Sequence, residues 1–197
     1  VLPGEKAHHK LIPGSRREEM KNLKIEDLSP NKAGVMAVFY PNTFGNTSMV
    51  LILRRTYKGV HSNQIGFPGG REEPEDENLQ DTALRETEEE VGIPRDKIQV
   101  IRELTKLYIP PSNFWVQPYL GLLDHTPNLI KQESEVAQIL EVDLDHFLDH
   151  SNFVNEELST SYSKKMLVPA FKLNNQIVWG ATGMMLSEIR ELFRKGL

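Results

Sequence analysis

The chain has 197 residues, 39% of them hydrophobic, which suffices for one domain with a sizeable core. A formal net charge of −5 disfavours a protein that grips nucleic acid through basic patches, though not a nucleotide held through metal, and no apolar run approaches the ~20 residues needed to span a bilayer. With no cysteine there is neither a disulfide framework nor thiolate chemistry, which is compatible with a reducing, cytoplasmic setting.

Taken in order, Val1 to Lys10 reads as a loose arm. Ser15-Arg16-Arg17-Glu18 has capping-box spacing and predicts a short helix through Met20 and Leu23, broken by Pro30-Asn31. Ala33 to Tyr40 and Ser48 to Arg55 are apolar, β-branched runs on either side of PNTFGNT and predict paired strands. Thr56 to Gln64 is a polar linker that delivers the chain to Gly69-Gly70. Past Ile93, the segment Ile98 to Ile109 predicts one or two strands, Pro110-Pro111-Ser112-Asn113 a turn, and Val116 to Leu123 a strand. Glu135 to Val142 fits a strand or a short helix, since periodicity does not arbitrate at that length. Asp143 to His150 predicts a helix, and Lys165 to Phe171 with Gln176 to Trp179 predict a hairpin turning at Asn174-Asn175. Met184, Met185, Leu186, Ile189, Leu192 and Phe193 give Thr182 to Arg194 the pattern of a terminal amphipathic helix. Strands interrupted by two or three helices predict a mixed sheet covered on both faces, an α/β class.

The chemistry concentrates between Gly69 and Ile93, where ten carboxylates lie between Glu72 and Glu90. The second half predicts a helix with Leu79, Ala83, Leu84 and Val91 as its apolar part, stopped by Gly92 and Pro94. Glu86, Glu89 and Glu90 stand at i, i+3 and i+4 and point to one side, while Glu88 points elsewhere. Two readings compete for such a face. One is a solvated acidic surface; the other is a site for Mg²⁺ or Mn²⁺, hard cations that take carboxylate oxygens together with a phosphate substrate.

Arg85-Glu86-Thr87-Glu88-Glu89-Glu90-Val91-Gly92-Ile93 resembles the core of the Nudix box, with one extra residue between Gly70 and Arg85 and Thr87 in place of the usual aliphatic residue. Asp76 or Glu77 fills the upstream acidic slot. The resemblance implies a Nudix-type α/β/α sandwich with a loop-helix-loop catalytic motif, a single domain over residues 1–197 whose first thirty residues form an arm and short helix. It implies water attack on phosphorus in a nucleoside diphosphate, with Glu86, Glu89 and Glu90 as ligands to Mg²⁺ or Mn²⁺. Glu89, Arg85 and Glu86 form the expected catalytic set, Arg85 bracing a glutamate more than touching substrate. The proton acceptor is left among Glu89, Glu133 and Glu135.

His61-Ser62-Asn63-Gln64-Ile65-Gly66-Phe67-Pro68-Gly69-Gly70 is similar to the lead-in of the coenzyme A diphosphatase subgroup, as are Arg54 upstream and Val178-Trp179-Gly180-Ala181-Thr182 near the end. Gly59 stands where that subgroup has a second Arg and Asn63 where it has Gly. The resemblance implies a CoA-like substrate bound through Arg54, Lys58, Gln64, Gly69 and Gly70, with Arg54, Arg55 and Lys58 as candidate cations for its 3′-phosphate. ADP-ribose, NADH or a dinucleoside polyphosphate are the alternative substrates, and a catalytically inactive ligand-sensing domain is the alternative function. A homodimer is the default expectation for assembly.

Overall fold

The computed structural model describes residues 1–12, 28–55, 63–158 and 166–196. In chain order the elements are a single helical turn α1 (Glu5–His8), strands β1 (Asn31–Pro41), β2 (Thr47–Arg54), β3 (Ile65–Gly66) and β4 (Gly69–Arg71), and helix α2 (Leu79–Val91). Then come β5 (Gln99–Glu103), β6 (Leu107–Ile109), β7 (Phe114–Leu122), β8 (Val136–Asp143), the short helix α3 (Leu144–Leu148), β9 (Phe153–Leu158), β10 (Met166–Leu173), β11 (Gln176–Val178) and α4 (Gly180–Lys195). The short helix expected from Ser15 through Leu23 lies outside the described residues.

β1 is the strand on which the layers meet. It runs parallel to β7, which pairs in turn with β5 and β6 antiparallel, while β2 and β4 pair with β1 antiparallel on its other edge and β8 lies antiparallel to β2. A strand with neighbours on both edges and cover on both faces must be apolar almost throughout, and Ala33 to Tyr40 is. Its alternate residues separate into two cores. Met36, Val38 and Tyr40 join Ala83, Val91 and Ile93 under α2, whereas Ala37 and Phe39 join Leu186, Ile189 and Leu192 of α4. The mixed, doubly covered sheet anticipated from the pattern is therefore present.

Local signals set the ends of the elements. Asn78 caps α2, its side-chain oxygen accepting from the Gln80 and Asp81 amides at 2.9 and 3.1 Å, and Gly92 closes the helix in the left-handed region at φ 74°. Asn174 and Asn175 turn the β10–β11 hairpin at φ 48° and 63°. Glu135 to Val142 resolves as strand, because its register with β2 places Leu140 opposite Leu51 and Val142 opposite Met49.

Two departures from the sequence reading stand out. β9 pairs with β10 in a separate three-stranded sheet that was not anticipated; Asn155, Glu156 and Glu157 dilute its apolar content. The segment Val1 to Lys10, expected to be loose, is tied down instead. Ala7, His8, Leu11 and Ile12 are buried, and Glu188 of α4 accepts from the Gly4 amide at 3.2 Å and pairs with His8 Nε2 at 3.0 Å. Lys10 adds an ion pair with Glu191. The physical reason is that a buried carboxylate on α4 needs partners, and the amino-terminal turn supplies them.

Candidate active site

β1 and β2 pair only near their shared turn, Phe39 to Pro41 against Met49 to Thr47, and then part. The notch between them is filled by residues 65 to 71. Ile65 and Gly66 pair with Leu53 and Ile52, Gly69 to Arg71 pair with Val35 to Ala33, and the Met36 amide donates to the Pro68 carbonyl at 2.9 Å. The wedge is tight enough to require glycine. A Cβ on Gly69 would stand 2.4 Å from the Gly34 carbonyl oxygen, and Gly69 itself sits at φ 148°. A Cβ on Gly70 would stand 2.4 Å from the Glu86 carboxylate. The pair is thus part of a strand rather than a free turn, and its missing side chains let α2 bring two carboxylates against main chain.

Gly34 does the same from the other side. A Cβ there would lie 2.1 Å from the Leu79 carbonyl oxygen, so its absence sets how closely the first turn of α2 seats on β1. Gly34 was not among the anticipated residues, though a glycine within an apolar strand is a recognised sign of close backbone approach.

Glu90 is buried. Its Oε2 accepts from the Gly69 amide at 2.8 Å and its Oε1 from Arg54 Nη1 at 3.1 Å, while Arg54 Nη2 also donates to the Gly69 carbonyl. Burial pushes the Glu90 carboxyl up to about 7, against the pull of Arg54 and the Gly69 amide and with help from the like charges of Glu86 and Glu135. Glu86 is also raised, first by burial; Arg85 opposes the shift, and Glu89 and Glu135 reinforce it. Glu89 is about half exposed and lies 3.4 Å from Arg85 Nη1. Glu88 faces away and pairs with Arg95 at 2.9 Å.

Arg85 is the hub of this face. Its Nε and Nη2 donate to Asp76 at 2.8 and 3.0 Å, its Nη1 to Glu86 at 3.0 Å, and its Nη2 also to the Arg71 carbonyl at 3.3 Å. The Arg85 hydrogen bonds hold the Asp76 carboxyl well below the usual carboxylate range, against its burial, and Thr82 Oγ1 and the Glu73 amide each add one at 2.9 Å. The choice between Asp76 and Glu77 for the upstream slot falls to Asp76. Thr87 occupies its apolar slot without an orphaned hydroxyl, because Oγ1 donates to the Ala83 carbonyl at 2.6 Å.

Arg54, Gly69, Gly70, Arg85, Glu86, Glu89 and Glu90 therefore come together around one face of α2. Gln64 is adjacent, its main-chain carbonyl accepting from the Arg54 amide at 3.0 Å. Lys58, Gly59 and His61 lie outside the described residues. Of the two later carboxylates, Glu133 is exposed and paired with Arg55 at 3.1 Å and Lys131 at 3.2 Å, whereas Glu135 lies within electrostatic reach of both Glu86 and Glu90.

The donor chemistry fits a hard divalent cation: Glu86, Glu89, Glu90 and Glu135 offer carboxylate oxygens, and the like charges around them push up the Glu86 and Glu90 carboxyls against the pull of Arg85 and Arg54. Among the described residues no three acidic, histidine or cysteine side chains are grouped closely enough to hold an ion by themselves, and Glu90 and Glu86 are paired with Arg54 and Arg85. Mg²⁺ retains several waters and needs only one or two protein carboxylates beside phosphate oxygens, so a closed protein cage is not required.

The NUDIX domain model matches residues 30–159 of the chain. Among curated relatives, the uncharacterized Nudix hydrolase NudL of Photorhabdus laumondii is 32% identical over 144 residues, covering 73% of this chain and 76% of the relative. NudL of Yersinia pestis is 29% identical over 144 residues, covering 73% and 71%. Among solved structures, a Nudix hydrolase from M. smegmatis, RenU, superposes with TM-score 0.57 at 12% identity, over 84% of this chain and 87% of that one. A MutT/nudix family protein from Enterococcus faecalis gives 0.56 at 17% identity, over 96% and 74%. At these identities the structural likeness speaks to the fold alone.

Proposed function

Because the chain belongs to the NUDIX domain family and is a Nudix hydrolase acting on nucleoside diphosphate derivatives, we propose that its substrate is coenzyme A or a CoA derivative. The products would be adenosine 3′,5′-bisphosphate and 4′-phosphopantetheine. The observation that carries the reading is the wedge itself. Gln64 to Gly70, the described part of the lead-in that resembles the CoA diphosphatases, is built into the sheet so that Gly69 and Gly70 abut Glu90 and Glu86.

In this proposal residues 1–197 act as one domain, and Glu86, Glu89 and Glu90 hold Mg²⁺ or Mn²⁺. The ion, when bound, neutralises repulsion between carboxylates and diphosphate and acidifies a water. The protein's own groups do the rest. Arg85, anchored by Asp76, fixes the rotamer of Glu86 and steadies Glu89. Arg54 holds Glu90 against the Gly69 amide and, with Lys58, Gln64, Gly69 and Gly70, forms the substrate-binding set. The bond from the water oxygen to phosphorus forms as the bridging phosphorus–oxygen bond breaks, and the water proton passes to Glu89 or Glu135, since Glu133 is occupied by Arg55 and Lys131. We place the enzyme in the cytoplasm, as a homodimer; among the described residues no helix is long and apolar enough to cross a membrane.

The test is Mg²⁺- or Mn²⁺-dependent hydrolysis of CoA, acyl-CoA, NADH, ADP-ribose and dinucleoside polyphosphates. Glu89→Gln and Glu90→Gln serve as controls, each expected to lose on the order of 10²-fold or more in kcat. Cleavage of ADP-ribose with CoA untouched would overturn the substrate assignment, and turnover of nothing by metal-loaded protein would favour a ligand sensor. Arg54→Ala should narrow the difference in kcat/KM between CoA and dephospho-CoA if Arg54 meets the 3′-phosphate.

A further inference from the structure

Beside β3 lies a cleft of about 120 Å³ of whose lining residues only Gln64 has been given a role above. Leu53 and Ile177 supply apolar walls, Asn63, Gln64 and Gln176 supply three carboxamides, and Trp179 supplies an indole. It lies close to Arg54 in space: Ile65 of its lining pairs with Leu53, and a Cβ on the next residue, Gly66, would stand 4.0 Å from Arg54 Nε.

Its lining selects the ligand chemistry. No charged side chain lines it among the described residues, so those residues bring no counter-charge to a phosphate. Carboxamides donate and accept at once, and they suit an uncharged group that does the same. The edge of adenine is such a group, read by paired hydrogen bonds from Asn or Gln, and its ring is flat enough to lie on an indole.

Asn63 is the informative member. Its backbone is in the left-handed region at φ 56°, where glycine is the least strained choice. Asparagine is among the non-glycine residues that this region admits most readily, so the position can carry a carboxamide at the edge of the cleft. We propose that this cleft receives the adenine-type base of the nucleotide substrate and that Asn63 reads its edge, making Asn63 a specificity-determining residue. The proposal rests on the chain acting on a nucleotide, but not on that nucleotide being CoA.

The backbone makes the test clean, since Asn63→Gly removes the amide at a position where glycine fits without strain. The chain has two tryptophans, Trp115 and Trp179, so in a Trp115→Phe background the fluorescence reports on the cleft alone. We expect AMP to quench it saturably, ribose 5-phosphate to quench it weakly, and Asn63→Gly to weaken AMP binding roughly ten-fold while leaving ribose 5-phosphate unchanged. Equal affinity for AMP and ribose 5-phosphate, or an Asn63→Gly effect on 4′-phosphopantetheine and not on AMP, would overturn the assignment. The titration needs no turnover. If CoA proves not to be hydrolysed while AMP binding still depends on Asn63, the substrate assignment fails and the base cleft stands.

Discussion

At the scale of the residue, the pairing of Asp76 with Arg85 decides how the acidic face behaves. A carboxyl held below its ordinary range adds stability that is fully present above the unfolded pKa, about 3.9 for aspartate, and is lost as pH falls through the folded value. Asp76→Asn should therefore lower stability by about 1–3 kcal/mol at neutral pH, because Arg85 loses the charged acceptor of its Nε and Nη2 while keeping Glu86, Glu89 and the Arg71 carbonyl. It should also flatten the acid limb of the melting curve below about pH 4, where the wild type loses this contribution. A variant that melts with the wild-type acid limb would show that the pair contributes nothing. Spacing alone left Asp76 and Glu77 as equals for this role. What separates them is the convergence of Thr82 Oγ1 and the Glu73 amide on Asp76, a loop geometry that no linear pattern encodes.

Among the elements, α2 was the most legible and its seating the least. Its apolar residues, its Gly92 stop and the common direction of Glu86, Glu89 and Glu90 all follow from a period of 3.6 residues. The distance from α2 to β1 follows instead from Gly34. Gly34→Ala would force the Leu79 carbonyl away from a Cβ that starts 2.1 Å from it, and the displacement would carry Glu86 and Glu90 along the wedge. We expect a loss of about 1–3 kcal/mol in stability together with at least a ten-fold drop in kcat. Unfolding curves and steady-state kinetics on the one variant check both, and wild-type values in each would mean that α2 is not gauged by this contact. β9 escaped notice for a different reason. Phe153 to Leu158 mixes two acids and an asparagine into six residues, and its strand character comes from pairing with β10.

For the whole molecule, Glu188 links segments that no local pattern could connect. Burial works against its charge, yet hydrogen bonds from His8 and Thr105 outweigh that and hold the carboxyl low. Its two oxygens serve the Gly4 and Thr105 amides, the Thr105 hydroxyl and the His8 ring, partners up to 184 residues away. Glu188→Ala leaves them all without an acceptor and should cost about 3–5 kcal/mol, read as a lower urea midpoint, with kcat little changed at temperatures where the variant is folded. A midpoint within error of wild type would mean that water replaces the carboxylate.

The parting of β1 and β2 has a practical side. The turn at residues 42 to 46, with Phe44 exposed, lies at the opposite end of β1 from Val35, about six residues or ~20 Å away. A fluorophore, an affinity handle or a short peptide spliced between Phe44 and Gly45 should leave turnover within two-fold of wild type, the tolerance expected of an exposed loop tip. That makes this bend a natural anchoring point for fixing the enzyme to a surface.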